Sequence, residues 1–252
     1  MKTIQFCGVE LVNLTRDQFA TFVIEESRKF GKIISFSLNG ESLAKFHNDL
    51  DFKKLFLNAN YVHADGMSIV TASKMLSKEG LPERIATTDW FHNVASQSRK
   101  NGESHYFLGG NEDTIQKTVA NVRSQYPGIK IAGFRNGYFS EADHEKVLKE
   151  IDDAHPNFIW VGLGRPKQEL FSLLIRDNCE VGIIKTCGGL FDFLAENNRR
   201  APLIMRRLGL EWLFRLYLQP RRLFKRYLVT NYQSLKIFAK YLFKTNNLAN
   251  DI

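Results

Sequence analysis

Short apolar runs, each bounded by glycine or polar residues, recur along the chain and alternate with longer stretches of helical spacing. The runs predict short strands at Ile4–Phe6, Glu10–Val12, Lys32–Ser37, Tyr61–Ala64, His105–Leu108, Lys130–Phe134, Phe158–Val161 and Val181–Thr186. The first two flank Gly8, as in a hairpin. Because the others alternate with helices, the pattern predicts a Rossmann-like α/β fold with a mostly parallel sheet and helices on both faces.

Small polar residues stand where several of the predicted helices begin. Thr15 can cap a helix that runs to about Phe30, and Thr87 and Thr88 can cap a helix that begins near Asp89. These residues accept hydrogen bonds from the free N–H groups of a first helical turn. They therefore fix where the connections between strands and helices lie.

Polar side chains also follow two strands at their carboxyl ends, where open α/β sheets bind ligands. Ser37 and Asn39 precede one long helical stretch, Glu41–Asn58, and Asp65 precedes a helix over Met67–Leu76. Asn39 is either a ligand contact or a turn residue and helix cap. Asp65 is either the cap of the helix that follows it or a general base facing a ligand.

The stretch Ile159–Phe171, IWVGLGRPKQELF, combines a strand, a glycine turn at Gly162 and Gly164, and a helix start marked by Pro166. The free N–H groups and the positive end of the helix dipole favour a phosphate at such a turn. The third glycine of the dinucleotide fingerprint and the lysine pair of a P-loop are absent. Taken alone, the motif is equally consistent with an ordinary connection between a strand and a helix.

Two further strand ends carry glycine pairs, at Gly109-Gly110 before a helix over Asp113–Gln125, and at Gly188-Gly189. In a parallel sheet the three glycine-bearing ends lie along one edge. Together they predict a crevice of the size of a nucleotide.

Charge divides the chain into two parts. Of 35 Lys and Arg and 27 Asp and Glu, residues 199–252 hold 12 and 2, which leaves residues 1–198 close to neutral. The basic part also carries an amphipathic stripe at mostly three- and four-residue spacing, formed by Phe224, Leu228, Leu235, Phe238 and Leu242. We therefore expect an α/β domain over 1–198 and a basic helical appendage over 199–252. The stripe serves either a membrane surface or packing on the protein's own domain.

The cysteines and the apolar segments indicate a cytoplasmic setting. Cys7, Cys179 and Cys187 show no CxxC spacing, so neither a disulfide framework nor a zinc site is predicted. No apolar run reaches the roughly 18 to 20 residues that span a bilayer, and no secretory signal opens the chain.

Seven collinear blocks resemble the WecG/TagA/CpsF glycosyltransferases, which build bacterial polysaccharides and wall teichoic acids on a lipid carrier. The blocks are SLNGESL at 37–43, YVHADGMSIV at 61–70, ERIATTDW at 83–90, YFLGG at 106–110, NGYF at 136–139, VGLGRPKQEL at 161–170 and the long stretch from Gly188 to Leu228. The chain departs from the family at Thr87 and Glu196, where the family usually has glycine, and at Gln219, where it usually has glutamate.

The resemblance implies an inverting transfer of a sugar from a UDP-sugar to a saccharide on undecaprenyl diphosphate, without a metal or another cofactor. The sugar is of the N-acetylmannosamine type or a related hexose, and the product is a cell-surface polysaccharide. Asp65 matches the family's candidate for the general base. Such an enzyme would lie on the inner face of the plasma membrane as a peripheral protein, with the basic appendage against the lipid.

The resemblance also implies roles for further residues. The expected contacts with sugar or diphosphate are made by Ser37, Asn39, Arg84, Gln168, Arg215, Arg222 and Arg226, and those with the nucleotide by Gly109, Gly110, Gly162, Gly164 and Asp192. The three arginines of the appendage would neutralise the departing UDP, whereas Asp192 either meets the nucleoside or caps structure. Arg199, Arg206 and Arg221 are expected to be solvated surface charges.

Two other functions fit parts of the pattern. A nucleic-acid-binding protein could use the basic tail, but its arginines alternate with bulky apolar residues and no reader motif appears, so we expect no nucleic-acid partner. An NAD-dependent oxidoreductase could share the fold, but the glycine fingerprint is missing. The donor sugar, the acceptor saccharide and the oligomeric state, a homo-oligomer among the options, stay open.

Overall fold

A computed structural model describes residues 1–77 and 79–250, with the side chains of Arg207, Arg222 and residues 244–250 outside the description. Its strands are β1 (Thr3–Phe6), β2 (Val9–Val12), β3 (Ile33–Leu38), β4 (Tyr61–Ala64), β5 (Ser104–Gly109), β6 (Lys130–Arg135), β7 (Phe158–Gly162) and β8 (Ile183–Thr186). β1 and β2 pair antiparallel as the predicted hairpin. The other six form one parallel sheet in the order β4-β3-β8-β7-β5-β6, which confirms the predicted α/β fold.

Helices cover both faces of this sheet. They are α1 (Arg16–Ser27), α2 (Gly40–Asn48), α3 (Leu50–Phe56), α4 (Met67–Leu76), α5 (Thr87–Asn101), α6 (Glu112–Gln125), α7 (His144–Ala154), α8 (Lys167–Asn178), α9 (Leu190–Leu194), α10 (Leu203–Arg207), α11 (Glu211–Leu218) and α12 (Pro220–Asn250). A 3₁₀ turn at Glu141–Asp143 precedes α7.

Two apolar cores result, one on each face. In the first, Phe36 of β3 and Val161 of β7 pack with α2, α3, α4, α7 and α8. In the second, Trp160 of β7 and Ile183 of β8 pack with α1, α5, α6 and α9. The alternation of side chains along each strand therefore assigns neighbouring residues to opposite cores.

The helix boundaries differ from the sequence-based expectation in two places. The predicted single helix Glu41–Asn58 is two helices, because Asp49 leaves the helical conformation and its carboxylate caps α3 through the backbone N–H groups of Asp51 and Phe52. Thr15 caps α1 as predicted, through a capping box with Gln18, but α1 ends at Ser27, before Phe30.

Helices α10 to α12 lie against the α/β part rather than apart from it. Ser234 of α12 donates a hydrogen bond to the carbonyl oxygen of Gly40, at 2.9 Å, and a Cβ on Gly40 would lie only 3.1 Å from the Ser234 hydroxyl. Phe238 stacks at an angle on Phe6 of the hairpin, with 5.9 Å between ring centroids. The second half of α12 is thus fixed to the hairpin and to α2.

The predicted apolar stripe of the appendage is packed on the protein in one part and exposed in another. Phe238 packs on the first core, whereas Phe224, Leu228 and Leu235 are each more than half exposed. None of the helices in the described part of the chain combines the length and the apolar character that crossing a bilayer requires.

Candidate functional site

One large cleft, of about 1840 Å³, lies at the carboxyl edge of the sheet. It is bordered by the ends of β3, β4, β7 and β8 and by residues of α11 and α12. Eleven of the expected site residues line it, namely Ser37, Asn39, Asp65, Arg84, Gly110, Gly162, Gly164, Gln168, Asp192, Arg215 and Arg226. Gly109 does not line it, and the side chain of Arg222 lies outside the described residues. The topology thus gathers residues that are far apart in sequence.

Asp65 follows β4, and its carboxylate spans the space to α5. Its Oδ1 accepts a hydrogen bond from the backbone N–H of Thr87, at 2.8 Å, in the first turn of that helix. The expectation that Asp65 caps α4 is wrong, because the residue at that cap is Gly66, without a side-chain hydrogen bond. The expectation that Thr87 and Thr88 cap a helix near Asp89 is also wrong, because α5 begins at Thr87. No described residue donates to the other carboxylate oxygen, which leaves it for a ligand.

The end of β3 is held by Arg165, a residue to which the sequence analysis gave no role. Arg165 donates from Nη2 to the carbonyl oxygen of Ser37, at 3.1 Å, and from Nη1 to Oδ1 of Asn39, at 3.3 Å. The same Oδ1 accepts from the N–H of Ser42 and caps α2. Asn39 therefore is a helix cap and lines the cleft at the same time.

Arg165 is in turn paired with Glu169, one helical turn along the chain. Its Nε lies 3.1 Å from Oε1 of Glu169, which is fully buried. Gln168 donates to that oxygen at 2.9 Å and accepts from the N–H of Gly188 at 3.1 Å. Both polar ends of Gln168 thus bind protein groups, and the network joins three strand ends, those of β3, β7 and β8. The i, i+4 spacing of Arg165 and Glu169 was the signal that could have revealed this network.

At two positions of this edge the structure favours glycine, for a different physical reason at each. A Cβ on Gly109 would lie 2.4 Å from the carbonyl oxygen of Gly162, so only glycine allows the ends of β5 and β7 to come so close. Gly164 has φ of +76°, in the left-handed region, and open space around its Cα. The Gly162–Gly164 turn therefore exposes backbone to the cleft immediately before α8.

Asp192 lies on the short helix α9 and lines the cleft. α9 has no side-chain cap, so the alternative that Asp192 caps this helix is not what the structure has. Its carboxylate accepts no hydrogen bond from a described residue. It is therefore available at the glycine-bearing side of the cleft.

Arg84 belongs to a cluster of three cations and two anions that ties α5 to α10 and α11. Its guanidinium lies 3.0 Å from Glu211 and 3.6 Å from Asp89. Arg200 contacts the same two carboxylates, at 3.6 and 3.0 Å, and Arg206 lies 3.2 Å from Asp89. The expectation that Arg206 is a solvated surface charge is therefore wrong. The cluster carries one excess positive charge beside the cleft.

Two arginines of the appendage reach the cleft from the side opposite the sheet. The guanidinium of Arg215 lies 5.2 Å from the ring centroid of Phe193, which also lines the cleft. Arg226 has a distant contact with Glu41, 3.7 Å between Nη1 and Oε2. Neither side chain is held by a close carboxylate in the described residues, so both can turn toward a bound anion.

Lys185 lies below the cleft and is fully buried on β8. Its Nζ donates to the carbonyl oxygen of Thr186 at 2.6 Å. Burial lowers the pKa of Lys185 to about 8, and the charge of Asp65 opposes that shift. Burial, together with the charge of Lys185, holds the pKa of His63 well below its ordinary value. Sequence reasoning missed Lys185, since one lysine among isoleucines is typical of a strand with an exposed face.

Within residues 1–77 and 79–250, no three His, Cys, Asp or Glu side chains come together in a way that could hold a metal ion. All three cysteines are buried free thiols.

The fold and the cleft define an open α/β protein whose ligand site lies at the carboxyl ends of its parallel strands, next to a glycine turn and a helix start. The family described as "Glycosyl transferase WecG/TagA/CpsF family" matches residues 4–248. The chain is also 33% identical, over 88% of its length and 86% of the relative's, to an N-acetylglucosaminyldiphosphoundecaprenol N-acetyl-beta-D-mannosaminyltransferase of Bacillus subtilis (strain 168). The chain belongs to this family, and it is a glycosyltransferase.

One departure from the family pattern has a visible backbone consequence. Glu196, where the family usually has glycine, has φ of +60°. An L-residue in this left-handed conformation costs about 1 to 2 kcal/mol, a cost that glycine does not carry. The turn after α9 thus keeps a conformation suited to glycine although its residue is glutamate.

Proposed function

We propose that this glycosyltransferase moves an N-acetylmannosamine-type sugar from its UDP derivative to an N-acetylglucosamine carried on undecaprenyl diphosphate, with inversion at the anomeric carbon. The activity for which the Bacillus relative is named supports both the sugar and the acceptor. The observation that carries the chemistry is the Asp65 carboxylate, which borders the same cleft as the Gly162–Gly164 turn and the appendage arginines.

Inversion requires one in-line displacement, so a single base is sufficient. The free carboxylate oxygen of Asp65 would accept the proton of the acceptor hydroxyl as its oxygen attacks the anomeric carbon. The N–H of Thr87 holds the other oxygen and thereby fixes the plane of the carboxylate. The bond from the anomeric carbon to the UDP oxygen breaks in the same step.

The departing UDP develops negative charge that positive groups must stabilise. Arg215 and Arg226 line the cleft, and guanidinium groups bind diphosphate oxygens bidentately. Arg84 and its cluster add positive potential at the same end. With Arg222, whose position in the chain matches a family arginine, these groups would supply the stabilisation without a metal.

The nucleotide would lie along the glycine-bearing side of the cleft. Gly110, Gly162 and Gly164 expose backbone there, and the N–H groups at the start of α8 favour the diphosphate. Asp192 would accept hydrogen bonds from ribose hydroxyls. Ser37, Asn39 and Gln168 would shape the sugar pocket, with Arg165 and Glu169 holding them in place.

We expect UDP to raise the melting temperature of the protein and NAD to leave it unchanged, because a ligand stabilises only the state that binds it. In a panel of UDP-sugars with an undecaprenyl-diphosphate-linked N-acetylglucosamine, UDP-N-acetylmannosamine should release UDP fastest and form a β linkage. Stabilisation by NAD alone would support an oxidoreductase. Activity that vanished with a chelator and returned only with a divalent metal would contradict the proposal that sugar transfer requires no metal ion.

The exposed apolar residues of α10, α11 and α12 would place the cleft against the lipid that carries the acceptor. They are Leu203, Ile204, Trp212, Leu213, Tyr217, Leu218, Phe224, Leu228, Val229, Tyr232, Leu235 and Phe243, together with Leu208 directly after α10, each more than two fifths exposed. Exposed arginines and lysines, Arg221 and Lys225 among them, accompany them. Apolar and basic side chains in this combination favour an anionic membrane surface on the cytoplasmic side.

Vesicles of anionic phospholipid should therefore sediment the protein at physiological salt, whereas duplex DNA should not bind it. The double variant Phe224→Asp with Leu228→Asp should lose most of the vesicle binding, because it places charges among exposed apolar residues. Leu50→Asp, an exposed leucine of α3, is the matched control and should bind normally. Binding to DNA with no binding to vesicles would favour the nucleic-acid alternative.

A further inference from the structure

Beyond Asp65 the cleft continues as a groove between α4 and α12, which lie against each other. We call it the α4–α12 groove, and its walls are formed by Met67, Thr71 and Met75 of α4 and by Leu235, Ala239 and Leu242 of α12. Spacings of three and four residues place each set on one face of its helix. Met75 and Leu235 are 66% and 64% exposed. The groove therefore offers apolar surface that the described residues leave uncovered.

The base of the groove is fixed to the rest of the protein. Ser234 is hydrogen-bonded to the carbonyl oxygen of Gly40 at 2.9 Å, and the ring of Phe238 lies 5.9 Å from that of Phe6. Both Ser234 and Phe238 line the cleft. Because α2 and the hairpin hold α12 at these two residues, the groove is part of the folded structure.

Charge is confined to the other part of the cleft. Acidic and basic side chains border it at the strand ends and on α11, Asp65 and Arg84 among them. In the described part of the chain, no charged residue of α4, and none of α12 beyond Arg226, lines the cleft. Lys74 and Lys240 of these helices are exposed but do not border it. An uncharged apolar groove is unsuited to a phosphate and suits a hydrocarbon.

Polarity also changes in one direction along the face of α12 that lines the cleft. Arg226 comes first, Thr230 and Asn231 follow with a hydroxyl and an amide, and Leu235 and Leu242 complete the series. At a rise of about 1.5 Å per residue, Arg226 and Leu242 lie about 24 Å apart along the helix axis. A ligand along this face meets a charged, a polar and then an apolar part. This order matches a sugar diphosphate that is joined to a hydrocarbon chain.

The groove lies on the side of the cleft from which an inverting reaction requires the acceptor to enter. The nucleotide side is formed by the ends of β5, β7 and β8, whereas Asp65 follows β4, at the edge of the sheet. In an inverting displacement the attacking hydroxyl approaches the face opposite the leaving group. The acceptor therefore enters beside Asp65, and α4 begins two residues later, at Met67.

We propose that the α4–α12 groove binds the isoprenoid units of the acceptor that are nearest to its diphosphate. The inference rests on the proposed function for the identity of the acceptor, whose undecaprenyl carrier is an uncharged, branched hydrocarbon. Leu235 belongs both to the groove and to the exposed apolar residues that would face the membrane. The remaining chain can thus pass from the groove into the bilayer without crossing water.

Farnesyl diphosphate and methyl diphosphate share a headgroup, so the difference between their affinities isolates the contribution of the chain. In calorimetry without detergent, the wild type should bind the farnesyl compound about tenfold more tightly or better, because its chain leaves water. Met75→Glu places a carboxylate in one wall, and Ala239→Trp fills the groove from the other. Each variant should lose most of the preference for the farnesyl compound. Met75 and Ala239 are exposed, so both variants should fold.

Lys74→Met is the matched control for Met75→Glu. It changes the net charge by the same amount on the neighbouring residue of α4, which does not border the cleft. This variant should keep the wild-type preference for farnesyl diphosphate. A preference that survives both Met75→Glu and Ala239→Trp would overturn the inference. So would a preference lost in the double variant Phe224→Asp with Leu228→Asp and kept in Met75→Glu, which would place the chain on the exposed face.

Turnover with the undecaprenyl-linked acceptor separates the groove from the function on which it rests. Met75→Glu should raise KM for this acceptor and leave KM for the UDP-sugar at its wild-type value. A wild-type enzyme that transfers sugar but binds both diphosphates equally would overturn the groove and leave the proposed function in place. A chain preference that both groove variants abolish, in a protein that transfers no sugar to this acceptor, would support the groove and contradict the proposed function.

Discussion

Asp65→Asn is expected to lower kcat by about a hundred- to ten-thousandfold, the contribution of a general base in a proton transfer. The amide keeps the shape of the side chain but cannot take the proton of the acceptor hydroxyl. Its oxygen can still accept the hydrogen bond from the Thr87 N–H, so α5 keeps its cap. The measurement is the steady-state release of UDP in the presence of the lipid-linked acceptor.

The control for this variant is Asp65→Ala, which removes the base and the cap together. Both variants should be equally inactive, but only the alanine variant should lose about 1 kcal/mol of unfolding free energy, the typical contribution of a helix cap. Normal turnover in the asparagine variant would mean that Asp65 serves only to hold α5. The pair therefore separates the chemical role of the carboxylate from its structural one.

Arg215→Ala and Arg226→Ala should each lower kcat about a hundredfold, because each removes one positive group from the charge that develops on the departing UDP. Neither side chain supports the fold strongly. Arg215 contacts the ring of Phe193, and Arg226 contacts Glu41 at 3.7 Å and lies 5.3 Å from the ring centroid of Tyr227. The melting temperatures should therefore stay close to that of the wild type.

Arg221→Ala is the matched control on the same helix as Arg226. Arg221 is exposed and does not border the cleft, so its removal should leave turnover in detergent solution unchanged. Equal losses in all three variants would indicate a general effect of net charge. Wild-type turnover in Arg215→Ala and Arg226→Ala would show that these two arginines do not act on the leaving group.

The sequence predicted the sheet and the edge at which the cleft lies because both follow from local patterns. Apolar strands that end in glycine or small polar residues predict parallel strands and place Asn39, Asp65 and the Gly162–Gly164 turn on one edge. The break between α2 and α3 also has a local cause, the Asp49 cap, but the helical spacing on both sides of Asp49 predicted one continuous helix. Local chemistry thus determined most of the architecture.

The interactions that fix the site were not predictable in the same way, because they join residues distant in sequence. Asp65 followed by glycine is typical of a cap for the next helix, and only the packing of α5 shows that Thr87 is its partner. The sequence around Arg84 does not indicate that this residue pairs with Glu211, 127 residues away. The burial of Lys185 was missed for another reason, since the residues next to it in sequence do not distinguish a buried lysine from an exposed one.

Two hydrogen bonds give the segment between β4 and α5 a closed stem. The N–H of Ile85 reaches the carbonyl oxygen of Ala64, and the N–H of Thr87 reaches Asp65, both at 2.8 Å. The segment closed by this stem includes α4, whose Ile69 and Val70 pack in the first core, so the stem and the core together fix the position of the carboxylate. The side chains of α4 that line the cleft, Thr71 and Met75 among them, could thus change to suit a different acceptor while the reactive oxygen stayed where it is.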